Sequence, residues 1–470
     1  MAFNFKHSYA ELPSDFYSNV QAKIPTNPQL ITLNKALCRD LNINLSEDEA
    51  SRYLSGAQFM KGSKPISQVY AGHQFGHFVP QLGDGRALLL GEHQIKDTKR
   101  VDIQLKGAGP TPYSRAGDGL SPLGPVLREY IISECLHYLG ISSTRSLAAV
   151  STGDLVYREE PLKGAVLTRV ADSHIRIGTF EYFYYKQDFK HLKTLLQYSM
   201  SRHFAHLSFE PKGYHQFLRE VGHAYLRLVS LWMSKGFIHG VMNTDNAAIS
   251  GQSIDFGPCA FMDTFRFNQV FSYIDRYGRY AYDQQGPIAI WNLSCLALCI
   301  APFIVNNESE INTFIKDECA YFNEYFQNQW CIQMGQKLGI FNAHLNDAPF
   351  ISSYLKHLQD KKADFTHSFH ILPETIHTNE EPFLSIYKRL KKQAQPFNEA
   401  ILLMKKNNPL FIARNHLINR AISDATLGDY DLFKQLLKAV KTPFLKIDQA
   451  DQLYDIPNSS EQITHTFCGT

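Results

Sequence analysis

The chain has 470 residues, 44% of them hydrophobic and 20% charged, with a formal net charge of +2. That length exceeds one simple domain and predicts two lobes around a large shared core. Near-neutral charge argues against bulk attraction to nucleic acid or an acidic membrane surface. Aromatic content of 13%, with 32 Phe and 24 Tyr, predicts bulky helix packing rather than disorder.

The opening MAFNFKHSYAELPSDF lacks the apolar core of a signal peptide, and no apolar run reads as long enough to span a bilayer. No membrane association is expected, and cytoplasm is the expected location. Residues 1–60 read as an N-terminal extension with a helical segment near 30–41. Residues 61–184 read as a strand-rich lobe. QVYAGHQFGHFVPQLGDGRALLLGE and VDIQLKG carry alternating and continuous apolar runs between Gly and Asp turns, the pattern of antiparallel strands. A Gly- and Pro-rich loop follows at 107–125, then a helix, VLREYIISECLHYLG, stopped by Gly140. SLAAVST, LVYRE and GAVLTRV are further strand-like segments. Residues 185–470 read as mostly helical, interrupted by a strand–turn–strand around 247–254, and Gly428 divides two amphipathic pieces near the end. The expected class is α+β, with strands first and helices second, the order of the two protein-kinase lobes.

Eight cysteines are spread over Cys38, Cys135, Cys259, Cys295, Cys299, Cys319, Cys331 and Cys468, with no CxxC and no zinc spacing. Cys295 and Cys299, one helical turn apart in WNLSCLALCI, read as core residues.

The chemistry concentrates in the middle of the chain. Asp255-Phe256-Gly257 lies nine positions after Asn246, in the run HGVMNTDN that begins at His239. In a protein kinase such a loop carries a base two residues after the His, an Asn that binds a metal, and a DFG Asp that binds another. Here position 241 is Val, which accepts no proton, and Asp245 is the replacement base. Asp245 also reads as a turn or N-cap residue. Asn246 and Asp255 supply oxygen ligands suited to a divalent cation on a polyphosphate. Asp255 lies in apolar SIDFGPCAF, so it needs a metal, a cation or backbone donors. Gly83 and Gly85 of GDGR let backbone amides approach a phosphate, with Arg86 adding charge, although GDG also serves as a plain turn. Lys106 ends a strand and Glu129 lies 23 positions on, in the first turn of the following helix. A strand Lys steadied by a helix Glu is a phosphate-holding pair. Asp118 and Gly119 lie in the long loop between them. Arg169 and Arg176 bracket RVADSHIR, and guanidinium forks suit terminal phosphates.

The strings GHQFGHF, LGDGRA, DIQLKGAGPTPYSR, LREYIISE, GAVLTRVADSHIRIGTF, HGVMNTDN and IDFGPCAFMD together resemble the selenoprotein O family of protein adenylyltransferases. The likeness covers about 65–300 and resumes at ARNHLINRAI and the tail. It implies a protein-kinase-like, pseudokinase-related fold that transfers AMP from ATP to Ser, Thr or Tyr hydroxyls of proteins. It also implies ATP bound in reverse, with the γ-phosphate deepest. Gly83, Gly85, Arg86, Lys106, Asp118, Gly119, Arg169 and Arg176 would hold the nucleotide, with Glu129 fixing Lys106. Asn246 and Asp255 would bind Mg²⁺ or Mn²⁺, and Asp245 would be the base. Redox-related proteins and the chain itself are the implied acceptors. The resemblance puts Cys468 where the family carries a redox-active Cys or selenocysteine, so a redox-sensitive bridge is expected there. SRAGDGLSP has fewer arginines than the family pattern. Two other readings stay open: a true kinase, and a nucleotide-binding scaffold.

Overall fold

A computed structural model of the chain describes residues 3–96, 99–448 and 450–466. Among these residues the fold is α+β, with a nine-stranded antiparallel sheet and fifteen α-helices. Cys468 lies outside the described residues, and none of the seven described cysteines is in a disulfide among the described residues.

The sheet is built from β1 (Phe5–Lys6), β2 (Tyr17–Asn19), β3 (Gln29–Leu33), β4 (Ile66–Gln74), β5 (His77–Gly83), β6 (Ala87–Lys96), β7 (Lys99–Lys106), β8 (Arg145–Tyr157) and β9 (Pro161–Ala171). Its main path runs β2-β4-β6-β7-β9-β8-β3, with β5 paired to β4 and β1 to β6. The first 33 residues thus add three strands to the sheet. The helical segment expected at 30–41 is shorter, because β3 occupies its start and α1 (Lys35–Asp40) begins after the Asn34 cap, which accepts from Leu37 N. SLAAVST and LVY merge into the single strand β8.

Apolar runs such as ALLL and GAVL are continuous because both sheet faces are buried. Leu88, Leu90 and Val166 face a core shared with α1 and α2 (Glu47–Tyr53). Leu89, Ala165 and Leu167 face the opposite core, where α3 (Leu123–Tyr138) packs.

The remaining helices follow α4 (Ile177–Tyr185), α5 (Phe189–His203), α6 (Pro211–Ser234), α7 (Gln285–Ile300) and α8 (Glu308–Lys337). After them come α9 (Ala348–Asp360), α10 (Phe365–His370), α11 (Leu372–Thr375), α12 (Phe383–Lys391), α13 (Phe397–Asn407), α14 (Asn415–Thr426) and α15 (Asp431–Ala439). Gly428, at φ +96°, turns the chain between the last two.

Two local expectations are corrected. The segment 247–254 is no strand–turn–strand. Its arms pair elsewhere, Ala248 with Arg176 and Ser253 with Ser143, while β10 (Phe237–Ile238) pairs with β11 (Ala260–Phe261). In addition, Tyr282–Phe303 is a 22-residue helical stretch with mean hydropathy 1.6, long and apolar enough to cross a membrane. It lies against α4, α6 and α8, and its Leu293, Leu296 and Ile300 are core residues.

Candidate active site

Every residue expected to bind nucleotide or metal, or to act as base, lines one cleft of about 670 Å³. Strand periodicity explains the aim of two of them. Lys106 and Arg169 lie on the adjacent strands β7 and β9, where Gln104 pairs with Arg169 and Lys106 with Leu167. Lys106 Nζ donates to Glu129 Oε2 at 2.7 Å and to Asp255 Oδ1 at 2.8 Å. Arg169 donates to Glu129 Oε1 through Nε and Nη2, at 2.9 and 2.6 Å, and to Asp255 Oδ1 at 2.7 Å. Glu129 occupies the second turn of α3, one turn later than the spacing suggested. Arg176 caps the start of α4, lies 4.4 Å over the Tyr70 ring, and reaches Asp84 Oδ1 at 3.3 Å and Asp255 Oδ2 at 3.4 Å.

Three cations therefore converge on one half-buried carboxylate. Burial opposes ionisation of Asp255, but Lys106, Arg169 and Arg176 outweigh it and hold its carboxyl well below the usual carboxylate range. Burial likewise opposes ionisation of Glu129, and Arg169 and Lys106 prevail there too. Asp255 also has φ +65°, a left-handed conformation that costs a non-glycine residue about 1–3 kcal/mol.

The catalytic-type loop is anchored by His239, whose Nε2 lies 2.8 Å from Ile254 O and whose ring stacks on Trp232. That bond ties the loop to the residue before Asp255. Asn246 Nδ2 donates to Val241 O at 3.0 Å. Asp245 follows a different electrostatic rule from Asp255. Burial pushes its carboxyl up to about 7, with the Gln74 hydrogen bond and Arg176 only partly opposing. Its Oδ2 accepts from Gln74 Nε2 at 3.2 Å, and its buried Oδ1 has no hydrogen-bond partner among the described residues. Two aspartates ten positions apart are thus tuned in opposite directions, the pattern of a charged ligand beside a base.

The glycines at 83 and 85 also make room for the chain's own loop. Tyr113 of the 107–122 loop packs against Gly83, and a Cβ on Gly85 would stand 2.8 Å from Tyr113 O. Thr111 Oγ1 donates to Asp84 O at 2.9 Å, and Ser114 Oγ donates to Gly85 O. Arg86 also lines the cleft. Gly119, at φ +67°, backs directly onto Gly109. The Asp118 carboxylate is forked by Arg158, at 2.9 and 3.1 Å, and that bond lowers its pKa.

Sequence reasoning missed Gln74, Tyr113, Arg158 and the pairing of Asp84 with Arg176. Gln74 and Asp84 sat inside quoted strings, GHQFGHF and LGDGRA, yet only the fold shows what they touch. Arg158 follows β8 and carried no signal.

A family model described as protein adenylyltransferase SelO matches residues 1–441. A Nitrosococcus oceani protein named protein nucleotidyltransferase YdiU is 43% identical over 100% of this chain and 98% of its own length. Proteins of the same name from Maridesulfovibrio salexigens and Clostridium perfringens are each 44% identical, over 99% and 100% of this chain respectively and 98% of their own lengths. The chain belongs to the SelO family of protein adenylyltransferases.

Proposed function

We propose that the cleft binds ATP and that the chain transfers AMP to Ser, Thr or Tyr hydroxyls of proteins, releasing pyrophosphate. The observation that carries this reading is the pairing of a buried three-cation cluster with an aspartate that burial brings to titrate near neutral pH, one of whose oxygens has no hydrogen-bond partner among the described residues, beside a valine where a kinase has its base. Arg169, Arg176 and Lys106 are 1%, 2% and 9% exposed, so the cations suited to phosphate oxygens lie deep in the cleft. That favours a triphosphate held with its terminal phosphates inward and the α-phosphorus nearer the acceptor. A two-lobed, kinase-like arrangement, with 61–184 and 185–470 as the lobes behind a 1–60 extension, belongs to the same reading.

The Asp245 carboxylate takes the proton of the attacking hydroxyl. The hydroxyl oxygen bonds to the α-phosphorus as the bond to the bridging oxygen breaks, and the electron pair leaves with pyrophosphate. Lys106, Arg169 and Arg176 stabilise that charge. Hard oxygen donors beside a polyphosphate, one of them a carboxylate held ionised, fit Mg²⁺ or Mn²⁺. Asn246 and Asp255 would hold the ion, which when bound offsets phosphate charge. The acceptors fit cytoplasmic proteins, redox-related ones and the chain itself included.

The test is incubation with ATP labelled at the α or the γ position, with Asp245→Ala alongside. Label on protein from α-ATP only, absent in the variant, is the expected result. Label from γ-ATP only would mean a kinase, and ATP binding without label from either would mean a scaffold.

A further inference from the structure

The end of β4 meets the catalytic loop residue by residue. His73 N donates to Thr244 Oγ1 at 2.7 Å, Gln74 Nε2 to Asp245 Oδ2 at 3.2 Å, and Phe75 N to Asn243 Oδ1 at 3.1 Å. Phe75 takes φ +52° in doing so. Behind this clasp stands Glu181 of α4, whose side chain is fully buried. Its Oε2 accepts from Thr244 Oγ1, and its Oε1 is 2.6 Å from His73 Nδ1. Tyr280 OH adds a second donor to Asn243 Oδ1, at 2.6 Å.

We propose, building on the adenylyl-transfer reading, that Gln74, Thr244, Glu181 and His73 are positioning residues that aim Asp245 at the acceptor hydroxyl. Gln74 holds Oδ2 while Oδ1 rests against Gly72, so the carboxylate is fixed in one orientation at the cleft wall. Thr244 fixes the backbone on which Asp245 is carried, and it is itself held on both sides, by a strand amide and by a helix carboxylate. A kinase-type base is aimed from its own loop; here the aim comes from a strand and a helix of the sheet half of the chain. Cys295 stands beside this node, and His73, Glu181 and Cys295 bring potential ligand atoms within 4.8 Å of one another. Both Glu181 oxygens are already engaged, by His73 and Thr244, so the node serves as a hydrogen-bonded brace.

The test compares Gln74→Met, Thr244→Val and Thr244→Ser in AMP transfer from α-labelled ATP, with ATP binding measured separately. Misplacing a base by an ångström costs about 10²-fold. Gln74→Met and Thr244→Val should therefore lose kcat on that scale with the KM for ATP unchanged, and Thr244→Ser should recover most of it. Parent-like kcat in both Gln74→Met and Thr244→Val overturns the proposal, as does a loss confined to ATP affinity. Should Thr244→Val fail to fold, Gln74→Met decides alone, since it removes one bond at the cleft wall. A parent protein that binds ATP but transfers no α-label overturns the adenylyl-transfer reading itself, and the positioning role with it.

Discussion

A Cβ built on Gly72 would stand 2.6 Å from Asp245 Oδ1 and 2.9 Å from Asp245 Cβ, while Gly178 backs onto Ala71 O from the other side. Asp245 is therefore seated on two glycines, and the position of its Oδ1 depends on a missing methyl group. Gly72 is not at a positive φ, so alanine there meets a steric obstacle rather than backbone strain. Gly72→Ala should leave the fold and ATP binding intact while pushing Asp245 aside, at a cost of about 10²-fold in transfer. Steady-state transfer beside a thermal melt checks this, and parent-level transfer would show that the carboxylate has room to yield. At this scale the pairing of Lys106 with Glu129 was legible, because its spacing follows the chemistry. The sequence told nothing of why Gly72 is glycine, since that depends on a contact across 173 positions.

Strands and helices with a strong period were legible: β4 to β7, α3 with its stop at Gly140, and the break at Gly428 all stand where the pattern puts them. The segment 247–254 was not, because its Ala248 and Ser253 pair with Arg176 and Ser143 rather than with each other, and such partners leave no local trace. The far segment ARNHLINRAI gains its meaning the same way. Arg128, next to Glu129 on α3, donates through Nη2 to Asn415 Oδ1 at 2.7 Å and to Cys259 O at 3.0 Å. The start of α14 thus braces both α3 and the chain just after Asp255-Phe256-Gly257. Arg414 pins the same region by donating to Asp364 at 2.7 and 3.1 Å and to Asp263. All three partners are buried, so Arg414→Met strands two carboxylates and should destabilise the protein by about 3–5 kcal/mol. Denaturant unfolding of parent and variant measures it; a loss within experimental error would show the ion cluster to be energetically neutral.

Across the whole molecule, buried polar networks stitch the sheet to the helices. Arg202 of α5 reaches Asp102 of β7 at 2.6 Å and Glu92 of β6 at 2.9 Å, and His174 Nδ1 lies 3.0 Å from Asp102. Such seams suit a fold whose apolar core is split by the sheet, and composition alone gave no sign of them. They also make the protein sensitive to acid. Nine described histidines titrate below their ordinary value, each chiefly through burial. His203 is the extreme case, lowered to about 3 by burial and then by Arg202, with its Nε2 2.8 Å from Ser173 Oγ. Between about 3 and the unfolded value near 6.5 the unfolded chain binds a proton at this position that the native state does not. Stability from His203 is therefore complete above pH 6.5 and falls as the pH drops below it, with a slope of about 1.4 kcal/mol per pH unit. His203→Gln keeps a polar contact for Ser173 but cannot take up the proton. Denaturation curves for parent and variant from pH 7 to 5 should show the variant losing stability less steeply, with the two converging as the pH falls. Parallel curves would mean that His203 titrates alike in the native and unfolded states.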